Sequence, residues 1–284
     1  MPTDLYCVMG HPVAHSQSPW IHTRFAELTG QDLHYTRREV PLDAFTAQVG
    51  AFIAEGGRGC NVTVPFKFEA AALADEVSAR GALAQACNTL AFRDGTVWGD
   101  NTDGIGLVQD ITQNAGVALH GQRVLLVGAG GAAAGVLGPL IETQPAQICV
   151  TNRTESQAHH LVNRHHPLAT QCGVMLNGCG LSDVGAAFDV VINATTSSLA
   201  GHSVPVPGHV LRPGALAYDM MYGPAAQGFM QWATRHGALA RDGLGMLVGQ
   251  AAHAFALWRG VMPPAAQVLA ELRQRLNNPA PAAP

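Results

Sequence analysis

The chain has 284 residues, 48% of them hydrophobic and 13% charged, with a formal net charge of −4. That length suits two globular domains, and the apolar fraction supplies two cores, so extensive disorder is excluded. A mildly acidic chain without a basic run lacks what nucleic acid and anionic lipid reward, and no segment reaches the roughly 20 apolar residues of a membrane span. Met1–Leu5 shows no charged leader with an apolar stretch behind it, so the expected compartment is the cytosol.

Short apolar runs alternate with helical patterns along the chain, the signature of βαβ units with parallel sheets. In a first series, strand Leu5–Met9 precedes a helix opening near Pro19, followed by strand His34–Val40, a helix between Leu42 and Glu55, and strand Cys60–Val64. The stripe Leu42, Phe45, Val49, Phe52 and Ile53 predicts the face of that helix that packs on a sheet. Asn88 and Thr89 begin a further extended segment. A second series starts after Asp103 and Gly104 with helix Ile105–Gln113 and strand Val124–Val127. Strands Ile148–Thr151, Asp189–Asn193 and Leu216–Met220 continue it. Pro139 lies within a helical pattern and predicts a kink or an interruption. Helices over Met246–Trp258 and Ala265–Leu276 close the chain, and the Pro/Ala-rich Asn277–Pro284 is expected to fray.

Cys7, Cys60, Cys87, Cys149, Cys172 and Cys179 form no CxxC pair, and most lie in apolar runs where a thiol acts as a small hydrophobe. His159, His160, His165 and His166 bunch together without an acidic or Cys partner at metal-ligand spacing. An exposed helix and the loop after it are their expected home, and no metal site is expected.

Strand Val124–Val127 runs straight into Gly128, Ala129, Gly130, Gly131, Ala132 and Ala133, a GxGxxG/A pattern. The first glycine allows the tight turn, the second lets backbone approach a pyrophosphate, and the small third residue lets helix and strand pack closely. The pattern alone says little in a glycine-rich chain; the strand before it and the helix after it make it a dinucleotide site. Where NAD binders place an acidic residue after the next strand, this chain has Asn152, Arg153 and Thr154. A guanidinium forks onto a phosphate and points to NADP, the alternative being an ordinary solvated arginine.

The first half carries polar residues near strand ends. Ser16 and Ser18 flank the start of a helix, where hydroxyls cap the helix or clamp a carboxylate. Lys67 lies just beyond Asn61–Phe66, and Asp103 closes the polar run Gly99–Gly104. A positioned ammonium can neutralise and protonate the alkoxide of a carbonyl/alcohol redox step, with Asp103 holding it. Lys67 is expected at the mouth of a cleft, so that its truncation costs little stability. A surface ion pair is the competing reading.

Taken in order, these motifs resemble the shikimate dehydrogenase family from Met9 to about Gly260. The resemblance implies an α/β, two-domain chain: an N-terminal βαβ substrate domain plus a Rossmann-type doubly wound NADP-binding domain. The substrate domain would span 1–103 and be completed by 244–276, the cofactor domain 104–243, and a flexible tail 277–284. It implies NADPH-dependent reduction of 3-dehydroshikimate to shikimate, with Lys67 and Asp103 catalytic. Ser16 and Ser18 match the family's carboxylate pair, and Thr63, Asn88, Tyr222 and Gln250 its other substrate contacts. Gly128, Ala129, Gly130, Gly131 and Ala132 match the phosphate loop and Asn152, Arg153 and Thr154 the 2′-phosphate motif. Met220 and Gly243 resemble cofactor contacts. Closure of the two domains is expected to hinge at the helix Ile105–Gln113 and near Gly243. Two departures stand out: Gln157 where the family often has a basic residue, which softens the expected preference for NADP, and Gly223, Pro224 and Gln227 where it commonly shows Asn-Pro and a threonine. A quinate/shikimate dehydrogenase using NAD as well, or a metabolite sensor without turnover, are the alternatives, and the intact Lys67/Asp103 pair speaks against the sensor. The expected partner is a small-molecule substrate, not nucleic acid or membrane, and the sequence leaves open whether the chain pairs as a homodimer.

Overall fold

The computed structural model describes residues 3–195 and 206–278; of the expected frayed tail, 279–284 lie outside the described residues. The chain divides into two compact units, one of Met1–Gly106 with Leu247–Pro284 and one of Leu107–Met246.

The first unit holds strands β1 (Asp4–Gly10), β2 (Leu33–Glu39), β3 (Gly57–Val62), β4 (Glu76–Val77), β5 (Thr89–Arg93) and β6 (Thr96–Asp100), in the sheet order β2-β1-β3-β5-β6-β4. Helices α1 (Ser18–Thr29), α2 (Phe45–Ala54), α3 (Lys67–Leu73) and α4 (Ala79–Ala84) fall between them. Cys7 and Met9 of β1 point into one core with Phe45, Val49 and Phe52, while Tyr6 and Val8 point into another with Tyr35 and Trp258. A sheet buried on both faces reads as an unbroken apolar run, which is why β1 shows no polar alternation. Leu42 (61% exposed) and Ile53 (39%) do not belong to the buried stripe of α2. Leu42 precedes the helix, and Ile53 lies at the margin of the stripe in the last turn of α2, next to its C-terminal end.

The expectation of parallel pairing fails in the middle of this sheet. β1 pairs parallel with β2 and β3, but β5 runs antiparallel to both β3 and β6. The cause is local. Asp94 and Gly95 join β5 to β6 with positive φ at both residues (50° and 78°), the backbone of a two-residue hairpin turn for which Asp-Gly is a preferred sequence.

The second unit holds β7 (Arg123–Val127), β8 (Gln147–Asn152), β9 (Met175–Gly180), β10 (Phe188–Asn193), β11 (Leu211–Asp219) and β12 (Leu239–Arg241), all parallel, in the order β12-β11-β10-β7-β8-β9. This is the doubly wound arrangement, and the strand order reverses between β7 and β10, where such sheets bind their ligands. Helices α6 (Gly131–Glu142), α7 (Glu155–Cys172) and α8 (Gln227–Arg235) belong to this unit. Pro139 does not interrupt α6, whose surrounding Val136, Leu137, Leu140 and Ile141 are fully buried and hold the turn. All four bunched histidines lie on α7 and none in a loop. His165 is buried, contrary to the exposed position expected for it, with Nδ1 2.9 Å from the Leu161 carbonyl.

The chain passes from the first unit to the second within α5 (Asp103–Gln109) and back within α9 (Leu244–Arg259); α10 (Ala265–Asn277) follows. Just after α5, a π-turn places the buried Asp110 carboxylate on Arg241 in a forked pair of hydrogen bonds (2.6 and 2.9 Å), with the Tyr218 hydroxyl donating at 2.8 Å. Burial pushes the Asp110 carboxyl up, and Arg241, Asn114 and Tyr218 together pull it below its ordinary range. No described helix is long and apolar enough to cross a membrane.

Candidate active site

Because β5 is antiparallel, its first residue lies beside the ends of its neighbours: Thr89 pairs with Asn61 of β3 and with Asp100 of β6. Three chain segments thus deliver polar side chains to one place. After β3 the chain turns into α3, whose first residue is Lys67. After β6 it turns into α5, whose first residue is Asp103. Lys67 Nζ lies 2.5 Å from Asp103 Oδ2, with side chains 12% and 6% exposed, so the reading of a solvated surface pair is excluded.

Asn88 sits between them and is almost fully buried. Its Nδ2 donates to Asp103 Oδ1 (2.8 Å) and to Gln250 Oε1 (3.1 Å), and its Oδ1 accepts from the Thr102 amide (2.9 Å) and the Thr89 hydroxyl (3.0 Å). Gln250, on α9, turns its own Nε2 to the Leu247 carbonyl at 2.8 Å. A chain distance of 162 residues between Asn88 and Gln250 is closed by that contact. The neighbouring Asp100 serves a different purpose. It is fully buried and accepts from Ser78 (2.5 Å), from Arg80 and from the Asn101 amide, which ties down the start of α4.

Ser16 and Ser18 lie at the start of α1, their hydroxyls 3.1 Å apart, and Ser16 Oγ also accepts the Ser18 amide at 3.2 Å. The N-cap of α1 is Gln17, whose side chain makes no cap, and the Ser16 hydroxyl ties the two serines together. Their loop runs beside the loop that carries Thr63: the His11 amide donates to the Val64 carbonyl (2.9 Å) and the Thr63 amide to the Met9 carbonyl (2.9 Å). Behind the serines, Tyr35 donates to Asn61 Oδ1 at 2.7 Å, and its ring stacks on that of His22 at 4.3 Å. Burial pushes the Tyr35 phenol well above its ordinary pKa, with the Ser18 side chain opposing, and lowers that of His22 to about 3. Tyr35, Thr89 and Thr102 are site residues that composition and motif order do not reveal. A buried tyrosine on an edge strand carries no signature in sequence.

In the second unit, Gly128 follows β7 at φ +115°, and a side chain there would press on the Ala194 backbone at 3.2 Å. α6 begins at Gly131 with no side chain capping it, so the amides of its first turn are left for an anion. Asn152 and Arg153 stand at the end of β8. The Asn152 side-chain amide donates to the Thr154 carbonyl (3.0 Å) and to Gln157 Oε1 (2.9 Å), so Gln157 shapes this loop without contributing charge. Arg153 and Thr154 are exposed. Met220 and Gly243 are brought together: the Gly243 amide donates to the Met221 carbonyl at 2.8 Å, and a side chain on Gly243 would meet the Met220 carbonyl oxygen at 2.4 Å. Tyr222 also belongs to this unit and precedes a short 3₁₀ turn over Gly223–Ala226. A glycine turn, free helix amides at the point of strand-order reversal and an exposed arginine after the next strand fit a dinucleotide carrying a 2′-phosphate.

The family model of the shikimate dehydrogenase substrate binding domain matches residues 8–90, that of shikimate/quinate 5-dehydrogenase residues 107–201, and that of the shikimate 5′-dehydrogenase C-terminal domain residues 243–273. A shikimate dehydrogenase (NADP(+)) of Paracidovorax citrulli is 66% identical over 274 residues, 96% of this chain and 98% of the relative. That of Verminephrobacter eiseniae is 61% identical over 98% of this chain and 96% of its own length. Among solved structures, an Ael1 enzyme from Pseudomonas putida is 43% identical with a TM-score of 0.85, over 95% of this chain and 98% of that one. Shikimate 5-dehydrogenase from Thermus thermophilus, solved with NADP(H) and shikimate, is 30% identical with a TM-score of 0.82, over 96% of this chain and 99% of that one.

Proposed function

The chain belongs to the shikimate dehydrogenase family, and on that premise we propose that it reduces 3-dehydroshikimate to shikimate with NADPH, reversibly, through the Lys67/Asp103 pair. The observation that carries the proposal is a lysine and an aspartate in direct contact, largely withdrawn from water, and fixed by a buried amide.

When bound, the nicotinamide supplies or takes up the hydride, and every other task falls to side chains. Lys67 places its ammonium at the oxygen of the reacting carbon. It gives that oxygen a proton as negative charge develops on it, becomes a neutral amine, and recovers a proton from solvent. In the oxidation direction the amine takes the proton from the alcohol. Asp103 aims the ammonium, and Asn88 fixes Asp103 by donating to its second oxygen. Ser16 and Ser18 present two hydroxyls at 3.1 Å to a carboxylate, and Thr63, Tyr222 and Gln250 complete the substrate contacts. Gly128–Ala132 would hold the pyrophosphate of the cofactor, Arg153 with Asn152 and Thr154 the 2′-phosphate, and Met220 and Gly243 the nicotinamide end.

The test is absorbance at the NADPH band when the protein is mixed with shikimate and NADP, repeated with quinate and with NAD. Growth of the band with shikimate and NADP is the expected result. No growth with any pair would leave a binding protein without turnover and end the proposal, and equal rates with quinate or NAD would replace it with the broader dehydrogenase.

A further inference from the structure

One hydrogen-bond chain joins the back of the serine pair to the Lys67/Asp103 pair, and its direction is forced by backbone groups. Asn61 Nδ2 lies 3.3 Å from the Asn88 carbonyl oxygen, which only accepts, so the amide nitrogen of Asn61 must face it and Asn61 Oδ1 must face Tyr35. Asn88 Oδ1 lies 2.9 Å from the Thr102 backbone N–H, which only donates, so the amide nitrogen of Asn88 must face Asp103. Thr89 stands between the two amides. Asn61 Nδ2 donates to its oxygen at 3.1 Å and cannot accept, so the Thr89 hydroxyl has to donate onward to Asn88 Oδ1 at 3.0 Å. Both ends of the chain are therefore fixed, and no amide can flip without setting two acceptors or two donors against each other.

We propose that Tyr35 is a positioning residue for the reaction, acting on Lys67 through this one-way relay from the Tyr35 hydroxyl to Asn61, Thr89, Asn88 and Asp103. Each donor in such a series is polarised by the bond it accepts, so the last one, Asn88 Nδ2 to Asp103, is the strengthened member. The relay is built into the first unit, in a part of the core where water does not compete: Tyr35 is 4% exposed, Asn61 6%, Asn88 2% and Thr89 0%. His22 holds the other side of Tyr35. Its ring lies within 2° of parallel to that of Tyr35, so it acts as a flat slab against which the phenol is pressed.

The inference rests on the proposed role of Lys67 and Asp103, and the experiment separates the two. In Tyr35→Phe the ring and its stacking remain while the first donor is lost; Thr89→Val breaks the relay two links closer to Asp103. Steady-state kinetics of the full chain should show kcat lowered about three- to tenfold in Tyr35→Phe, the size of one neutral hydrogen bond, with KM for shikimate and for NADP within about twofold of wild type. Thr89→Val should lose at least as much, and the double variant should be no slower than Thr89→Val alone. Unchanged kcat in Tyr35→Phe, multiplying losses, or a raised KM for shikimate with kcat intact would each overturn the relay, the last because Tyr35 would then serve only the serine loop. The Asn88 side-chain amide signals, followed by NMR, should shift in Tyr35→Phe without any substrate present, and their constancy would equally overturn it. A wild-type protein that failed to turn over shikimate would overturn the functional reading instead, with the amide signals still deciding the relay.

Discussion

Lys67 and Asp103 each sit at the first turn of a short helix, and their burial changes what a substitution does. An exposed lysine could be truncated at little cost, but here Lys67→Ala leaves Asp103 with one donor and little water. We expect that variant to lose about 1–3 kcal/mol of stability, the cost of an unsatisfied buried group, measured by urea unfolding. Its kcat should fall by about 10²–10⁴-fold, the usual contribution of a positioned acid/base group. Because the two residues act as one unit, Lys67→Ala/Asp103→Ala should be scarcely slower than the worse single variant, and multiplicative losses would assign them separate roles. At Arg153 the same logic gives a different result. Arg153 is exposed and joins none of the ion pairs found among the described residues. Arg153→Asp should weaken NADP about tenfold or more relative to NAD, and equal losses for the two cofactors would make Arg153 structural.

At the scale of elements, the site depends on how strands end. β7 is followed by Gly128 because the residue there must take φ +115°, and β8 and β11 end on the polar Asn152 and Asp219 at the same edge of the sheet. Gly243 shows how tightly that edge is built. A methyl group there would lie 2.4 Å from the Met220 carbonyl oxygen, and backbone on both sides leaves no flexible side chain to give way. Gly243→Ala should therefore push Met220 aside and raise KM for NADP several-fold while leaving the Lys67 network in place. Unchanged NADP affinity, measured by titration, would show that Met220 and Gly243 do not border the cofactor. The hairpin β5–β6 is the equivalent feature of the first unit. Its Asp94–Gly95 turn reverses the chain and brings the end of β6 to Asn88, while the antiparallel pairing of β5 with β3 brings Asn88 to the end of β3.

Among the described residues of the whole molecule, each unit buries one histidine, His22 in the first and His165 in the second, and this shapes the response to acid. Burial lowers the pKa of His22 to about 3 and that of His165 to about 4, against about 6.5 in the unfolded chain. For a group whose folded pKa is depressed, the unfolded state binds more protons between the two values, so stability is full above about pH 6.5 and is lost as pH falls toward the folded value. Between pH 7 and 5 each histidine should cost on the order of 2 kcal/mol. Urea unfolding at the two pH values should show that loss, and His22→Phe, which keeps an aromatic slab against Tyr35 without a titrating group, should remove the share belonging to the first unit. An unfolding free energy equal at pH 7 and 5 would mean that neither histidine is neutral by burial.

Sequence alone was enough for the two series of strands and helices, the glycine turn after β7, and the polar residues that end strands, because strand period, turn chemistry and capping are local properties of neighbouring residues. The hairpin turn Asp94-Gly95 is a local signal of the same kind, but the reading of the strand series as parallel passes over it. Other features had no local mark. That Asp100 anchors α4 while Asp103 meets Lys67 follows from where β6 stops and α5 starts, since both residues look alike in the run Gly99–Gly104. That Ile53 is exposed and His165 buried depends on which face of each helix is covered, and Leu42 is exposed because α2 starts only at Phe45. The contact of Asn88 with Gln250 and the relay from Tyr35 join residues far apart in the chain, and hydrogen bonds of that kind exist only once the sheet has set its strand order and buried them away from water.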